Sequence, residues 1–303
     1  MIFNLGQSIN QPIKLPQKFD VELYIKREDK IHKHISGNKY RKLKYNLQEA
    51  DKLGYTTLLT FGGAFSNHIA AVAFAGQKFG FKTIGIIRGE ELEDKINDNA
   101  TLQFAKVNGM HFKFVSRSDY REKNSDGFLQ QLQKEFGKFY CVPEGGTNAL
   151  AVKGCEEILS DSDTMFDYIC CAVGTGGTIS GLINSAKLHQ QILGFPALKG
   201  DFLSSNISKF VTRSNWKLIT NFHFGGYAKI NVELIEFINQ FKHMQDIPLD
   251  PVYTGKLMFG VYKLIEDGFF PKRSKILVIH TGGLQGIAGM NKRLKQKKLP
   301  LIK

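Results

Sequence analysis

The stretch YICCAVGTGGTISG, at residues 168–181, is the clearest indication of how this chain folds. Residues 168–173 are almost entirely apolar, as in a strand that is buried on both faces of a parallel sheet. Residues 174–181 follow at once and contain four glycines among threonine and serine. Open α/β sheets bind their ligands just beyond the carboxyl ends of their strands. The stretch therefore predicts a parallel α/β sheet with a ligand loop at its edge.

Around this stretch, the chain alternates between predicted strands and predicted helices, with glycine turns between them. Strands are predicted at residues 21–25, 57–61, 82–87, 110–115, 140–142 and 275–279. Helices are predicted at residues 40–53, 67–79, 100–107, 128–136, 149–159, 232–241 and 255–266. Residues 143–148 (PEGGTN) are a turn-rich run that predicts the crossing into a second compact body. Residues 199–224 have no clear period, and no element is predicted there.

Length and composition predict a globular protein of two ordinary domains, since 303 residues with 42% hydrophobic side chains can fill more than one core. No apolar run approaches the length of a membrane helix, and the start MIFNLG lacks the regions of a signal peptide. We therefore expect a cytoplasmic protein with no membrane partner. The four cysteines include no CxxC pair, and we expect core positions for them, without a metal or disulfide role.

The net charge of +13 raises the question of nucleic-acid binding. The basic residues are scattered, and the densest run, at residues 292–298, is typical of a charged helix end or tail. The sequence contains no helix-turn-helix, zinc-finger or RNP-like pattern. We expect no nucleic-acid partner, although the basic field favours anionic ligands.

The loop at residues 174–181 has the chemistry of a phosphate site. Its glycines let backbone N–H groups approach an anion closely, and Thr175 and Thr178 can donate hydroxyl hydrogen bonds. The loop lacks the Lys-Ser/Thr ending of a nucleotide P-loop, and Ile179 stands where a dinucleotide fingerprint has glycine or alanine. A single small phosphate fits better than a nucleotide. The alternative is a tight strand-to-helix turn that binds nothing.

A lysine between a loop and a helix start is the candidate for the chemistry. It lies in residues 36–43 (SGNKYRKL), where Gly37 and Asn38 have the character of a turn and a helix cap. Lys39 would then be fixed by its backbone while its amine enters a cleft. Desolvation there would lower the pKa of the amine and make it a nucleophile for a Schiff base. The alternative is a solvated surface charge, the usual state of a lysine.

Two further strand ends carry polar residues beside glycine. Residues 62–68 (GGAFSNH) lead into a predicted helix, where Ser66 and Asn67 are either ordinary caps or a site for a carboxylate and a ring hydroxyl. His68 is either a satisfied structural histidine or an acid or base. Residues 280–283 (HTGG) end the strand predicted at 275–279. Because such strand ends share one edge of a sheet, we expect the glycine runs to line a ligand site.

Several motifs, in one order over nearly the whole chain, resemble the pyridoxal-phosphate enzymes of the 1-aminocyclopropane-1-carboxylate deaminase and D-cysteine desulfhydrase family. They are KRED at residues 26–29, SGNKYRKL at 36–43, TFGG at 60–63 with SNH at 66–68, the loop at 174–181, PVYTGK at 251–256 and HTGG at 280–283. The resemblance implies fold type II: two α/β domains, each an open twisted, mostly parallel sheet flanked by helices, with pyridoxal 5'-phosphate in the cleft between them. It places the large domain at residues 1–43 and 149–303 and the small domain at 44–148. It also implies a homodimer.

The resemblance further implies a role for each matching residue. Lys39 resembles the Schiff-base lysine, Ser66 the catalytic serine near the substrate carboxylate, and Thr281 the hydroxyl that faces the pyridine nitrogen. Asn67 resembles the partner of the cofactor ring oxygen and, with Ser66 and His68, binds the substrate. The residues that resemble the phosphate cradle are Gly174, Thr175, Gly176, Gly177 and Thr178. Tyr227, in the run FGGY, resembles the active-site tyrosine of the family.

Two departures from the family pattern concern the substrate pocket. The family usually has a glycine soon after the tyrosine, whereas Ala228 and Lys229 follow Tyr227 here. The chain is also shorter than typical members, in the section at residues 199–224. Thr281 and His68 resemble the desulfhydrases more than the deaminases. The sequence therefore predicts β-elimination from a small amino acid such as D-cysteine. The alternatives are deamination of 1-aminocyclopropane-1-carboxylate and a non-catalytic ligand-binding protein on the same fold.

Overall fold

The computed structural model describes residues 5–35, 37–200 and 202–303. The first residues of the start MIFNLG, Ser36 of the run at 36–43, and Asp201 lie outside the described residues. The strands of the described part are β1 (Asn10–Ile13), β2 (Glu22–Lys26), β3 (Thr57–Gly62), β4 (Lys82–Arg88), β5 (Met110–Val115), β6 (Tyr140–Val142), β7 (Tyr168–Val173), β8 (Gln191–Pro196), β9 (Trp216–Leu218) and β10 (Lys275–Ile279). The α-helices are α1 (Asn38–Lys52), α2 (Asn67–Phe79), α3 (Ala100–Val107), α4 (Asp126–Phe136), α5 (Ala149–Glu156), α6 (Gly177–Ser185), α7 (Phe202–Ser208), α8 (Val232–Gln245), α9 (Thr254–Glu266) and α10 (Gly286–Gln296).

The larger sheet has six strands in the order β1-β2-β10-β7-β8-β9. All neighbouring strands are parallel except β1, which runs antiparallel to β2. Alternate residues of β10 enter two different hydrophobic clusters, with Ile276 and Val278 in one and Leu277 and Ile279 in the other. The central strands are therefore buried on both faces, as the apolar run at residues 168–173 predicted.

The smaller sheet has four strands, all parallel, in the order β5-β4-β3-β6. Thr60 of β3 lies opposite Gly85 of β4 and Val142 of β6. Its hydroxyl is buried and donates to the carbonyl oxygen of Val142 at 2.8 Å. Strand β3 is an inner strand of this sheet, and the GGAFSNH run at residues 62–68 therefore begins at the carboxyl end of an inner strand.

Helices α1, α5 and α6 pack closely at two glycines, Gly154 and Gly181. A Cβ at Gly154 of α5 would lie 2.1 Å from the carbonyl oxygen of Arg41 on α1. A Cβ at Gly181 of α6 would lie 2.5 Å from the Cβ of Cys155 on α5. Because glycine has no side chain, the backbones can approach to these distances. The start of α1, with Lys39, is therefore held near the start of α6.

The fold class expected from the sequence is confirmed: two mostly parallel sheets are flanked by helices. Several predicted bounds agree with the structure, among them β5, β6, β7, β10, α2 and α3. The helix predicted at residues 149–159 ends earlier, at Glu156, and α1 begins at Asn38, with Gly37 as its N-cap. Strands of the larger sheet come from residues 10–26 and 168–279, and those of the smaller sheet from 57–142. The domain bounds 1–43 with 149–303, and 44–148, stay a prediction.

Three strands and two helices lie where the sequence predicted none. Strand β1 contains Pro12, which argues against a central strand but is tolerated at a sheet edge, where β1 lies. Strand β9 lies at the opposite edge and has three residues, too few for a visible period. Strand β8 and the helices α7 and α10 were also not predicted. The basic run at residues 292–298 forms the end of α10 and the turn after it.

In the part of the chain that the structure describes, no helix is long and apolar enough to cross a membrane. The four cysteines are free thiols, of which Cys155, Cys170 and Cys171 are buried and Cys141 is half-buried.

Candidate active site

The start of α1 joins the loops that follow β7 and β10. Gly37 lies directly on the backbone of Thr281, so that a Cβ at Gly37 would be 2.0 Å from the Thr281 carbonyl oxygen. The backbone N–H of Asn38 donates to the same oxygen at 3.3 Å. The side-chain amide of Asn38 donates to the hydroxyl of Thr178 at 2.7 Å. Asn38 therefore links two of the three glycine runs that the sequence singled out, and Lys39 is its neighbour.

The amines of Lys39 and Lys42 converge on one carbonyl group. The Nζ of Lys39 donates to the Gly145 oxygen at 3.3 Å, and the Nζ of Lys42 donates to the same oxygen at 3.0 Å. Burial lowers the pKa of Lys39 well below its ordinary range, and the charge of Lys42 lowers it further, against a small opposing effect of Cys155. A lysine in this state is neutral more often than a surface lysine, so that it can act as a nucleophile or base.

Lys42 is a site residue that the sequence analysis missed. Its side chain is 2% exposed, and its amine also donates to the Thr147 hydroxyl at 3.0 Å. Burial lowers its pKa as well. The spacing of Lys39 and Lys42 along α1 contained the clue, because residues three apart on a helix share one face.

The glycine loop after β7 is surrounded by hydrogen-bond donors. Gly176 adopts φ +92°, a left-handed conformation that favours glycine, and α6 begins at Gly177 without a side-chain cap. A Cβ at Gly177 would lie 2.9 Å from the Thr147 hydroxyl oxygen and 3.2 Å from Nζ of Lys42. The hydroxyl oxygens of Thr147 and Thr175 are 2.5 Å apart. The loop thus presents an ammonium, hydroxyls and the free N–H groups of a helix start.

These donors fit the phosphate of pyridoxal phosphate. Among the described residues, the groups that shift the pKa values of Lys39 and Lys42 include no carboxylate. An anion at the start of α6 would balance the charge of the amines and interact with the positive end of the helix. In the described part of the chain, the Thr281 hydroxyl forms no hydrogen bond and is free to face a ligand. A lysine amine such as that of Lys39 can condense with the aldehyde of this cofactor.

The start of α2 contains the predicted Ser66, Asn67 and His68. Ser66 is the N-cap, and its hydroxyl oxygen accepts from the backbone N–H groups of His68 at 3.2 Å and Ile69 at 3.4 Å. The side-chain oxygen of Asn67 accepts from the amide of Gln285 at 2.8 Å. Ser66 is therefore a cap, as the ordinary interpretation expected, and its hydroxyl donates no hydrogen bond to any residue that the structure describes. Asn67 instead contacts the segment after β10.

His68 is buried behind this helix start. It is 2% exposed, and its Nε2 is 2.8 Å from the hydroxyl oxygen of Thr60. Burial lowers the pKa of His68 well below its ordinary value, and the amines of Lys39 and Lys42 lower it further, while the Pro143 carbonyl opposes them. The imidazole is therefore neutral at physiological pH, and it lies within electrostatic reach of both lysines.

Tyr227 lies beside a second tyrosine that the sequence analysis did not single out. The rings of Tyr227 and Tyr253 are 6.2 Å apart and edge-on, and a Cβ at Gly174 would lie 3.4 Å from the Tyr253 hydroxyl. Burial raises the pKa of Tyr227, and the Asp250 carboxylate raises it further, against a hydrogen bond from Tyr253. The clue to Tyr253 was its place in the motif at residues 251–256. The pair connects Tyr227 to the glycine loop.

The departure from the family after Tyr227 has a physical explanation. Ala228 adopts φ +53°, in the left-handed region where glycine is favoured. Alanine adopts this conformation at a cost of about 1 kcal/mol. The side chain of Tyr227 remains partly accessible, at 42% exposed.

Comparison with known proteins agrees with this geometry. The family model described as "Pyridoxal-phosphate dependent enzyme" matches residues 8–282. A Thermotoga maritima protein with the provisional name 1-aminocyclopropane-1-carboxylate deaminase is 32% identical, over 93% of this chain and 95% of its own length. An Arabidopsis thaliana protein named bifunctional D-cysteine desulfhydrase/1-aminocyclopropane-1-carboxylate deaminase, mitochondrial, is 32% identical, over 88% of this chain and 73% of its own. The crystal structure of a homologue of 1-aminocyclopropane-1-carboxylate deaminase has a TM-score of 0.81 at 28% identity, and the match covers 96% of this chain and 93% of that one.

The family match covers most of the chain and includes the start of α1, the glycine loop and the strand β10. The Thermotoga protein and the solved homologue match over 95% and 93% of their own length, so the likeness is not confined to one motif. The chain is a pyridoxal-phosphate dependent enzyme of the 1-aminocyclopropane-1-carboxylate deaminase and D-cysteine desulfhydrase family.

Proposed function

We propose that this enzyme catalyses β-elimination on a small amino acid, with D-cysteine as its substrate. D-cysteine and water would give pyruvate, sulfide and ammonia. The observation that carries the proposal is the amine of Lys39, whose pKa is lowered well below its ordinary range next to a loop of phosphate donors. The Arabidopsis relative, whose name includes D-cysteine desulfhydrase, supports the choice of substrate.

Lys39 would act as the base. Pyridoxal phosphate, when bound, supplies an electron sink for the charge that develops on the α-carbon of the substrate. The neutral amine of Lys39 takes the α-proton, and sulfide leaves from the β-carbon. Burial and the charge of Lys42 keep that amine neutral often enough to accept a proton near physiological pH.

The remaining site residues would bind and orient. Lys42, with the loop made of Gly174, Thr175, Gly176, Gly177 and Thr178, would hold the phosphate. Ser66 would donate its hydroxyl proton to the substrate carboxylate, beside the N-terminus of α2. Asn67 and Thr281 would face the cofactor ring, at its oxygen and its nitrogen. An uncharged hydroxyl at that nitrogen leaves the ring a weaker electron sink, which favours elimination over transamination.

His68 and Tyr227 would complete the substrate side of the site. The neutral imidazole of His68 would lie behind the carboxylate site, because His68 follows Ser66 on the first turn of α2. Tyr227 would act on the far side of the cleft, where its ring lies edge-on to that of Tyr253.

Deamination of 1-aminocyclopropane-1-carboxylate is the second candidate, since the names of the relatives include it. This substrate and water would give 2-oxobutanoate and ammonia, and Ser66 would then assist the opening of the ring. A non-catalytic ligand-binding protein on the same fold would bind its ligand without forming either oxoacid.

The test compares the purified wild type with Lys39→Ala and the control Lys44→Ala. Lys44 also lies on α1, but its amine pairs with Glu157 at 2.7 Å, away from the loop. With added pyridoxal phosphate, we expect a visible absorption band in the wild type and in Lys44→Ala, and its loss in Lys39→Ala. Pyruvate from D-cysteine and 2-oxobutanoate from 1-aminocyclopropane-1-carboxylate are then measured. Formation of 2-oxobutanoate alone would select the second candidate, and a band without either product would contradict both.

We also infer, from the family resemblance, that the enzyme is a homodimer, and we propose separately that it works in the cytoplasm. Light scattering of the purified protein tests the dimer, because a single species with twice the chain mass of 34.1 kDa is expected. Imaging of the tagged protein in its own cells tests the compartment.

A further inference from the structure

A buried lysine outside the cofactor site contacts the turn that precedes Tyr227. Lys256 lies on α9 among apolar neighbours and is 2% exposed. Its Nζ donates to the carbonyl oxygens of His223 at 2.8 Å and Gly226 at 2.7 Å. In the described part of the chain, Lys256 forms no ion pair. Burying an ammonium without a carboxylate is costly, so that a specific reason for a lysine at this position is needed.

The turn that Lys256 contacts has an unfavourable backbone. Phe224 and Ala228 adopt φ +54° and φ +53°, although neither is a glycine. Gly225 and Gly226 between them are also left-handed, at +88° and +113°. L-residues lose free energy in this region, and such conformations persist only where the surroundings hold them. Within the segment, the N–H of Gly226 donates to the His223 oxygen at 3.0 Å.

The two ends of this turn are both held by α9. The ring of Phe224 packs edge-on against Phe259 at 5.0 Å. On the other side, Tyr227 meets Tyr253, the residue just before α9. Lys256 lies between these two contacts along the helix, and its amine reaches the middle of the turn. Phe259 and Lys256 thus join residues 223–226 to α9, and Tyr253, just before the helix, contacts Tyr227.

We propose that Lys256 is a positioning residue, whose buried amine holds the turn at residues 223–226 in the conformation that presents the Tyr227 hydroxyl to the active-site cleft. The proposal rests on the proposed function, since it assumes that Tyr227 acts there. Burial lowers the pKa of Lys256 to about 8, although the Asp250 carboxylate opposes this, which agrees with an amine held by carbonyl groups rather than by a counter-ion.

The first test needs neither cofactor nor activity. Lys256→Met keeps a long apolar stem but removes the amine, and Lys263→Met makes the same change on the exposed side of α9, where Lys263 pairs with Glu266. Hydrogen exchange of the backbone amides at residues 223–229 is followed by mass spectrometry. We expect exchange at least about tenfold faster in Lys256→Met, because two hydrogen bonds from a charged donor are lost, and no change in Lys263→Met.

The urea midpoint separates positioning from general support of the fold. In Lys256→Met we expect the midpoint to stay equal or rise, because an uncompensated buried charge has been removed. Unchanged exchange at residues 223–229, or faster exchange over the whole chain with a lower midpoint, would overturn the proposal. If Lys256→Met does not fold, Lys256→Gln is measured in the same way. Failure of both to fold would also overturn it, since Lys256 would then be required by the whole fold.

The second test uses the holoenzyme and a double-mutant cycle. We expect Lys256→Met to lower kcat about tenfold or more in the wild type and to cause no further loss in Tyr227→Phe. An equal fold-loss in both backgrounds would mean that Lys256 does not act through Tyr227. If the wild type forms no product, the proposed function fails, whereas the exchange test still decides whether Lys256 holds the turn.

Discussion

Replacing Gly37 with alanine tests whether the contact between α1 and the loop after β10 builds the cofactor site. Gly37 has φ +57° and ψ −131°, a conformation that is essentially confined to glycine. An added Cβ would lie 2.0 Å from the carbonyl oxygen of Thr281, 2.3 Å from its carbonyl carbon and 2.7 Å from the nitrogen of Gly282. These are all backbone atoms, so that no side chain can rotate away to make room.

The magnitude follows from two separate costs. The backbone conformation alone costs an alanine about 1–3 kcal/mol. Separating α1 from the loop after β10 adds roughly 1–3 kcal/mol, the usual range for overpacking. The matched control is Gly80→Ala, since Gly80 at the end of α2 has φ +80° and would place its Cβ in open space. We expect this control to lose only about 1 kcal/mol. Gly37→Ala should therefore be less stable than Gly80→Ala by about 3 kcal/mol.

Two assays measure the effect. Urea unfolding gives the free energy of unfolding of each variant, and titration of the visible band gives the affinity for pyridoxal phosphate. Because the clash moves Lys39 and Thr281 relative to each other, we expect Gly37→Ala to bind the cofactor at least about tenfold more weakly, the equivalent of about 1.4 kcal/mol. Gly80→Ala should bind like the wild type. A Gly37→Ala protein that matches Gly80→Ala in stability and the wild type in affinity would refute the reasoning.

Three further predictions follow from single positions. Lys42→Met should lower the affinity for pyridoxal phosphate about tenfold to a hundredfold, because a charged hydrogen bond to the phosphate is lost. In the same titration of the visible band, the control Lys44→Met should bind the cofactor as the wild type does. Gly181→Ala should lower the free energy of unfolding by about 1–3 kcal/mol, because the added Cβ would meet Cys155. The control Gly127→Ala, which has open space around it, should leave the free energy of unfolding equal or up to about 1 kcal/mol higher. Equal stabilities of the two variants in urea unfolding would contradict this prediction. Burial lowers the pKa of Lys256 to about 8 in the folded state, so that the charged amine destabilises the fold below pH 8. This destabilisation disappears as the pH rises towards the unfolded pKa of 10.5, and the wild type should gain about 3 kcal/mol of stability relative to Lys256→Met between pH 7 and pH 10.5. A difference in urea stability that stays constant with pH would show that the amine is not desolvated.

The edges of the larger sheet show where sequence patterns stop being informative. The buried strands β7 and β10 are recognisable because both of their faces meet helices, which requires a continuous apolar run. The edge strand β1 contains Pro12, and β9 has only three residues, so neither segment shows a pattern that distinguishes it from a loop. Their place in the sheet depends on partners that are distant in the chain, namely β2 for β1 and β8 for β9.

The local features of this protein could be predicted from the sequence alone: the alternation of strands and helices, the glycine runs at the strand ends and the lysine at the start of α1. These features are local because backbone conformation, helix capping and the approach of a ligand to glycine depend on neighbouring residues. Only the tertiary structure decided which groups act on that lysine. Lys42 is a neighbour of Lys39 on α1, but the Gly145 carbonyl, which both amines contact, meets them only when the chain has folded. The pKa of Lys39 is lowered mainly by burial, which exists only in the folded chain, and further by the charge of Lys42 on the same helix.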